Sequence, residues 1–150
     1  MVSKITSRKK GRNGFSLIEL LIAITILVIL GSVVGMNLID QPQRARHGSA
    51  RVQLETFKTA LHLYISDNGI PPTQRQGLLA LVEKPTIEPI PANYPPNGYL
   101  DSRTLPKDPW GNDYVYIIPG RNGELFEVIC YGADGEEGGD GYNADLTTSK

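Results

Sequence analysis

One acidic residue, Glu19, stands inside a long apolar stretch near the start of this 150-residue chain. Between Phe15 and Met36 no other side chain is strongly polar. An ionised carboxylate in hydrocarbon costs at least about 2.5 kcal/mol, so Glu19 needs a partner. No lysine or arginine follows before Arg44. A free amine on Phe15, made by cutting the chain after Gly14, would be such a partner, in the same chain or in a neighbouring copy.

A second group of residues whose side chains could carry chemistry is an acidic segment towards the C-terminus. Seven acids and no base lie between Glu124 and Asp145. Its glycine-rich part, residues 132–145, is called the acidic loop below. Calcium prefers six to eight oxygen ligands on flexible backbone, although the spacing here does not match an EF-hand. Composition alone leaves two interpretations, a calcium site or a solvated loop. The oxygen-bearing residues are Asp134, Glu136, Glu137, Asp140, Asn143 and Asp145.

The sequence offers no constellation typical of catalysis. Ser16 lies in the apolar stretch, no Gly-x-Ser-x-Gly occurs, and neither His47 nor His62 has a credible nucleophile nearby in sequence. We interpret both histidines as solvated residues of a helix face. The single cysteine, Cys130, excludes an intramolecular disulfide and lies in an apolar run, so we interpret it as a core residue. We expect a protein that is not an enzyme. An anchored enzyme using carboxylates of the acidic loop is the alternative.

The N-terminal part of the chain predicts a membrane anchor. The apolar stretch, residues 15–36, is long enough to span a bilayer as a helix and too long for a signal-peptide core. The leader, residues 1–14, carries five basic side chains and no acid, which favours a cytoplasmic N-terminus. Without the leader, 10 basic and 16 acidic residues remain, so the rest of the chain is acidic. This charge argues against nucleic acid as a partner. Residues 37–150 are predicted to form one outer domain.

The outer domain is predicted to begin with an amphipathic helix. Apolar residues recur there at helical spacing, and the helix is expected to end near Gly69, before two prolines. If it continued the membrane helix, the two would run from Phe15 to about Ser66 and reach about 75–80 Å. Gly35 and Pro42 are the expected weak points. The apolar stripe comprises Ala50, Leu54, Phe57, Ala60, Leu61, Tyr64 and Ile65.

The remaining residues predict a small antiparallel sheet that packs on this stripe. Residues 114–118 and 125–131 are expected to be strands, joined by a hairpin turn over residues 119–123, which includes Arg121 and whose Asn122 and Gly123 suit positive φ. Residues 76–82 are expected to form a short helix, and the proline-rich residues 85–96 a long loop. Trp110 is expected to cover the sheet from a turn. The predicted fold class is α+β.

Residues 14–19, Gly-Phe-Ser-Leu-Ile-Glu, behind a basic leader and before an apolar helix, resemble the processing signal of type IV pilins and pseudopilins. In that family a membrane peptidase cuts after the glycine and N-methylates the new terminal phenylalanine. Five further segments, in order, make the outer domain similar to the major pseudopilins of type II secretion systems. These are residues 71–73, 76–81, 93–99, 105–114 and 132–139.

The resemblance implies a pilin-like fold, with a long N-terminal helix packed on a small antiparallel sheet. It implies cutting between Gly14 and Phe15 by prepilin peptidase, methylation of Phe15, and pairing of Glu19 with the Phe15 amine of an adjacent subunit. The subunit would cross the bacterial inner membrane once, with its C-terminal domain in the periplasm. Copies would form a homopolymer, the pseudopilus, with minor pseudopilins and an inner-membrane assembly platform as partners. Its growth would drive export of folded proteins across the outer membrane.

The resemblance also implies a calcium site in the acidic loop. Matching positions give the side chains of Asp134, Asn143 and Asp145 as ligands, together with the backbone carbonyls of Tyr131 and Glu136. Asn143 stands where relatives commonly carry an acid, which should weaken affinity without removing an oxygen ligand.

Other interpretations remain at this point. A type IV pilin of an adhesion, motility or DNA-uptake pilus would share the N-terminus, but many such pilins carry a C-terminal disulfide that one cysteine cannot form. A monomeric calcium-binding membrane protein would not need Glu19. An uncleaved signal anchor would carry the acid only by coincidence.

Overall fold

The computed structural model describes residues 14–39 and 41–149, and of residues 32–39 only the backbone. The chain divides into two compact units, Met1–Asp40 and Gln41–Lys150. The predicted leader lies outside the described residues, apart from Gly14.

The described part of the first unit forms one helix, α1, Leu17–Ile39. Glu19 lies in its first turn, where a carboxylate interacts favourably with the helix dipole. The side chains of residues 14–31 are exposed within this unit, and Phe15 is 83% exposed. Over the part of the chain that the structure describes, no helix is long and apolar enough to cross a membrane. The predicted span of residues 15–36 extends into residues whose side chains are not described, and it stays a prediction.

The second unit begins with α2, Gln41–Asn68. Pro42 lies in its first turn, where a missing N–H removes no helical hydrogen bond. The predicted weak point at Gly35 lies within the backbone of α1, and Asp40 lies outside the described residues. The helix ends as predicted: the N–H of Gly69 donates to the carbonyl of Ile65 at 2.7 Å.

The apolar stripe predicted for this helix is confirmed. Six of its residues are buried and Ile65 is partly buried against the core. The opposite side carries exposed residues, among them Arg51 and Glu55. Fully burying a leucine or phenylalanine side chain contributes about 1.5–3 kcal/mol, so this stripe is the main attachment of α2 to the rest of the unit.

A three-stranded antiparallel sheet packs on this helix. Its strands are β1, Val115–Ile117, β2, Glu127–Cys130, and β3, Leu146–Thr147, in the order β1-β2-β3. Tyr116 pairs with Val128, and Cys130 pairs with Leu146. The first two strands lie within the predicted segments but are shorter. The third strand was not predicted, because two residues carry no alternating pattern.

The hairpin between β1 and β2 differs from the predicted turn. The N–H of Gly123 donates to the carbonyl of Gly120 at 3.1 Å, and the N–H of Gly120 donates to the carbonyl of Glu124 at 2.9 Å. Gly123 has a φ of 86°, whereas Asn122 has no positive φ. This pattern is that of a three-residue hairpin loop closed by a left-handed glycine. The predicted hairpin and the positive φ of Gly123 are confirmed, whereas the positive φ expected at Asn122 was wrong.

The predicted helix at residues 76–82 is a shorter 3₁₀-helix, Leu78–Leu81. Gly77 precedes it with a φ of 59°, which lies outside the helical region. The side chain of Gln76 is engaged elsewhere: its Nε2 donates to the carbonyls of Ile87 and Pro89 at 2.8 and 2.9 Å. One amide therefore fixes the proline-rich loop, which has no helix or strand over residues 85–96, as predicted.

The core lies between α2 and the sheet, so the predicted packing is confirmed. The rings of Phe57 and Tyr114 meet edge to face with centroids 4.9 Å apart. Val128 and Cys130 of β2 are fully buried in the same cluster, which confirms Cys130 as a core residue. Burial raises the pKa of its thiol to about 11.

Candidate functional site: the acidic loop and its anchors

The acidic loop connects β2 to β3 and folds back on itself. The N–H of Ala133 donates to the carbonyl of Tyr142 at 3.0 Å, and the N–H of Asn143 donates to the carbonyl of Asp140 at 3.1 Å. The two ends of the loop therefore run side by side where they join the sheet.

Two glycines allow this close approach. A Cβ atom placed on Gly132 would lie 2.6 Å from the carbonyl oxygen of Asn143, and one placed on Gly139 would lie 2.8 Å from the same oxygen. Both glycines also have positive φ, 66° and 82°. No other residue fits at either position without moving the backbone.

The predicted calcium ligands lie in different environments. Asp145 is partly buried: its Oδ2 accepts the N–H of Gly138 at 3.1 Å, while its Oδ1 is buried with no hydrogen-bond partner among the described residues. Asp134 is exposed, and its Oδ1 accepts the N–H of Glu136 at 3.2 Å. The side chains of Asn143 and Glu136 are exposed and Tyr131 is partly buried.

The structure does not gather these acids into a cluster. Within the described ranges, no three His, Cys, Asp or Glu side chains lie close enough to hold a metal ion. A buried carboxylate oxygen without a partner is nonetheless costly. Oδ1 of Asp145 is therefore the atom of the loop that most clearly fits a hard cation, which would complete its shell with carbonyl and amide oxygens.

The loop is anchored to α2 through His47. Its Nε2 lies 3.0 Å from the carbonyl oxygen of Tyr142 and must donate to it. The imidazole meets the rings of Trp110 and Tyr142 edge to face, with centroids 5.3 and 5.4 Å apart. The expectation of a solvated His47 was wrong, since long-range folding brings the loop onto its helix face. His62 is exposed, as expected, with its ring against Phe126.

Trp110 is positioned by a turn built on Asp108. Oδ1 of Asp108 accepts the N–H of Trp110 at 2.9 Å and that of Asn112 at 2.8 Å, while Oδ2 accepts the thiol of Cys130 at 3.4 Å. Nε1 of Trp110 donates to Oε1 of Gln43 at 3.1 Å. Trp110 was expected to cover the sheet. It packs against the core and also contacts the first turns of α2.

A second anchor joins the loop to the sheet through Arg121. Glu127 of β2 is only 1% exposed, and its Oε1 accepts Nη2 of Arg121 at 2.9 Å and Oγ1 of Thr147 at 2.7 Å. Oε2 accepts Nε of Arg121 at 3.1 Å and its backbone N–H at 3.0 Å. Nη1 of Arg121 donates to Oε1 of Glu137, in the loop, at 3.0 Å. The hydrogen bonds from Arg121 lower the pKa of Glu127 to about 2.

Sequence reasoning missed the second anchor. Arg121 was treated only as a turn residue and Glu127 only as one acid of a run. The available signal was an acid in the middle of an otherwise apolar strand, which must find a partner once that strand is buried.

The residues predicted for processing and assembly lie at the start of the first unit. Among the described residues, Gly14 has no atom within 4 Å of the position that a Cβ would take. Phe15 and Glu19 are exposed within that unit. Whether the chain is cut there stays a prediction.

Comparison with known proteins connects both units to one family. Residues 37–149 match the family described as "Type II secretion system (T2SS), protein G", and residues 9–35 match the "Prokaryotic N-terminal methylation motif". The chain is 44% identical over 139 residues to the type II secretion system core protein G of Vibrio cholerae, covering 93% of this chain and 92% of the relative. The Pseudomonas aeruginosa protein of the same name is 40% identical, covering 93% and 96%.

A solved structure shows the same fold. The crystal structure of the major pseudopilin from the type 2 secretion system of enterohaemorrhagic Escherichia coli superposes with a TM-score of 0.62 at 36% sequence identity. The match covers 75% of this chain and 93% of that one.

Proposed function

Because this chain belongs to the family of type II secretion system protein G, the major pseudopilins, we propose that it polymerises into a periplasmic pseudopilus that drives export of folded proteins across the outer membrane. One observation carries the proposal: the methylation motif of residues 9–35 and the protein G domain of residues 37–149 occur in one chain. A subunit that is processed at its N-terminus and carries this domain is suited to a fibre.

The family and the named relatives favour the secretion pseudopilin over the alternative of a type IV pilin for adhesion, motility or DNA uptake. The family is one of structural subunits, and we infer a structural role here rather than an enzymatic one. Minor pseudopilins, the inner-membrane assembly platform and further copies of this chain are the proposed partners.

Processing is proposed to occur between Gly14 and Phe15, with prepilin peptidase as the enzyme and methylation of the new Phe15 amine. Residues 15–36 would then anchor the subunit in the inner membrane, with the leader on the cytoplasmic side and the second unit in the periplasm. The basic leader and the apolar stretch after it support this orientation.

Glu19 gives a physical reason for assembly. A carboxylate in hydrocarbon is unfavourable alone and is stabilised by an opposite charge with hydrogen bonds. The amine of Phe15 on an adjacent subunit would supply that charge. Entry of a subunit at the correct axial register then neutralises the acid, whereas a shifted register leaves it unpaired.

We further propose that the acidic loop binds calcium. The side chains of Asp134, Asn143 and Asp145 and the carbonyls of Tyr131 and Glu136 are the proposed ligands. The unpartnered Oδ1 of Asp145 supports this assignment. Bound calcium would supply the positive charge that a loop with five acids and no base lacks. These residues would then hold both ends of the loop on the sheet and fix one surface of the subunit.

The intact mass of the protein extracted from its native membrane tests the proposal. A chain that begins at Phe15 and carries one added methyl group is expected. A full-length, unmodified chain, in cells whose other pilins are processed, would overturn the proposed role of Gly14 and Phe15. Deletion of the gene followed by a secretion assay then tests the export function itself.

A further inference from the structure

The guanidinium of Arg121 is shared between two carboxylates from different parts of the chain. Nε and Nη2 contact the two oxygens of Glu127 at 3.1 and 2.9 Å, so the buried acid is bound in a bidentate manner. The remaining amino group, Nη1, reaches Glu137 in the acidic loop at 3.0 Å. A planar fork with five donors can make these contacts together, whereas a lysine ammonium is a single point charge.

The ion pair between Arg121 and Glu137 costs less conformational entropy than an ordinary surface salt bridge. Exposed pairs contribute little because two flexible side chains must be ordered to form them. Glu137 is 68% exposed, but Arg121 is already fixed by Glu127, whose side chain is 1% exposed. Thr147 of β3 holds the same carboxylate at 2.7 Å. Contacts with the sheet therefore already order the side chain of Arg121, and only Glu137 must be ordered to form the pair.

The contact with Arg121 also offsets part of the negative charge of the acidic loop. Residues 132–145 carry five acids and no base, so their carboxylates repel one another and favour an extended loop. Arg121 lies outside the loop in sequence, in the β1–β2 hairpin, and brings a cation to it from the sheet.

We propose that Arg121 is a positioning residue that holds the Glu137 side of the acidic loop on the sheet without any metal ion. The contact involves Glu137, which is not among the proposed calcium ligands, so the two attachments are separate. If the loop binds calcium as proposed above, a loop already docked at Glu137 loses less conformational freedom on binding. The role of Arg121 itself does not depend on calcium.

Hydrogen–deuterium exchange of the full chain in detergent micelles, with excess EDTA in every sample, tests the proposal. Glu137→Gln removes the ion pair between Arg121 and the acidic loop and leaves the buried Arg121–Glu127 pair intact. Asp140→Asn is the matched control, because it removes the same charge from the same loop without touching Arg121. Arg121→Lys keeps a positive charge beside Glu127 but cannot bridge both acids.

Amides of residues 135–138 are expected to exchange about two- to fivefold faster in Glu137→Gln and Arg121→Lys than in the wild type, with no increase in Asp140→Asn. Amides of α2 around Phe57 should be unchanged in all four chains, which reports an intact fold. Equal loop exchange in Glu137→Gln and Asp140→Asn, or wild-type exchange in Arg121→Lys, would overturn the proposal. Because calcium is absent throughout, neither result bears on calcium binding or on polymerisation.

Discussion

Nε2 of His47 lies 3.0 Å from the carbonyl oxygen of Tyr142, although the two residues are 95 positions apart in sequence. The contact ties the first turns of α2 to the acidic loop. The same imidazole packs against Trp110, whose indole N–H donates to Gln43. Because the chain has one tryptophan, the fluorescence of Trp110 reports on this contact directly.

We expect His47→Phe to destabilise the fold by about 1 kcal/mol, because the ring packing is kept but the carbonyl of Tyr142 loses its donor. The emission of Trp110 should shift as well. Denaturant unfolding followed by tryptophan fluorescence measures both effects. His62→Phe is the matched control, since His62 also packs edge to face on an aromatic ring, Phe126, but lies away from the acidic loop. Equal effects of the two substitutions would contradict the anchoring role of His47.

The buried Glu127 predicts a loss of stability in acid. Its pKa in the folded chain, about 2, lies below the ordinary value of 4.5. The ionised acid therefore stabilises the fold above pH 4.5, and this contribution is lost as the pH falls towards 2. The loss amounts to at most about 3 kcal/mol.

Denaturant unfolding between pH 6 and pH 2, roughly the window set by this shift, checks the prediction. Glu127→Gln should be less stable than the wild type at neutral pH and should lose less on acidification. Glu124→Gln, in the neighbouring turn, controls for removal of one acid. A wild-type pH profile in Glu127→Gln would show that another group is responsible.

Calcium binding predicts a melting temperature that depends on the metal. We expect EDTA to lower the melting temperature of the chain and added calcium to restore it, because a ligand held only by the folded state stabilises it by about 2.7 kcal/mol at a hundred times its dissociation constant. Asp145→Asn should abolish the response, whereas Asp140→Asn should keep most of it. A melting temperature that neither EDTA nor calcium changes would contradict calcium binding by the loop.

Pairing of Glu19 with the Phe15 amine predicts a defect in assembly rather than in processing. Glu19→Ala should leave cleavage after Gly14 largely intact and strongly lower the yield of fibres, because subunits enter without the register contact. Thr25→Ala is the control, since the hydroxyl of Thr25 donates to the carbonyl of Leu21 in its own helix and to no other described residue. The mass of the mature chain and the amount of sheared fibre measure the two steps. Wild-type fibre yield in Glu19→Ala would rule the pairing out.

Local patterns were sufficient for the parts of the fold that local physics determines. Leu54, Phe57 and Leu61 follow the helical period, so they could be placed in the core from sequence. Gly69 marked the end of α2 because a left-handed residue followed by prolines cannot continue a helix. The core position of Cys130 followed from the apolar run around it.

Contacts between distant segments could not be predicted in this way. β3 is two residues long and forms only because β2 offers it a hydrogen-bonding edge. Arg121 looked like a turn residue, and only the folded hairpin brings its guanidinium to Glu127. His47 shares the polar character of solvated helix residues until the acidic loop closes over it. In the candidate site, the composition identified the loop, and Glu127 inside an apolar strand indicated that a partner was needed, but the sequence did not identify Arg121 as that partner or His47 as the other anchor.

The close approach of Gly132 and Gly139 to Asn143 means that different residues encode the shape of the loop and its charge. The path of the loop backbone is set by glycines whose replacement would displace it. Exposed acids such as Glu136 and Asp140 can be exchanged without altering that path. If the loop binds calcium as proposed, its affinity for the ion can therefore be tuned one carboxylate at a time while the backbone stays the same. A glycine replacement would instead displace the backbone and, with it, every carboxylate of the loop at once.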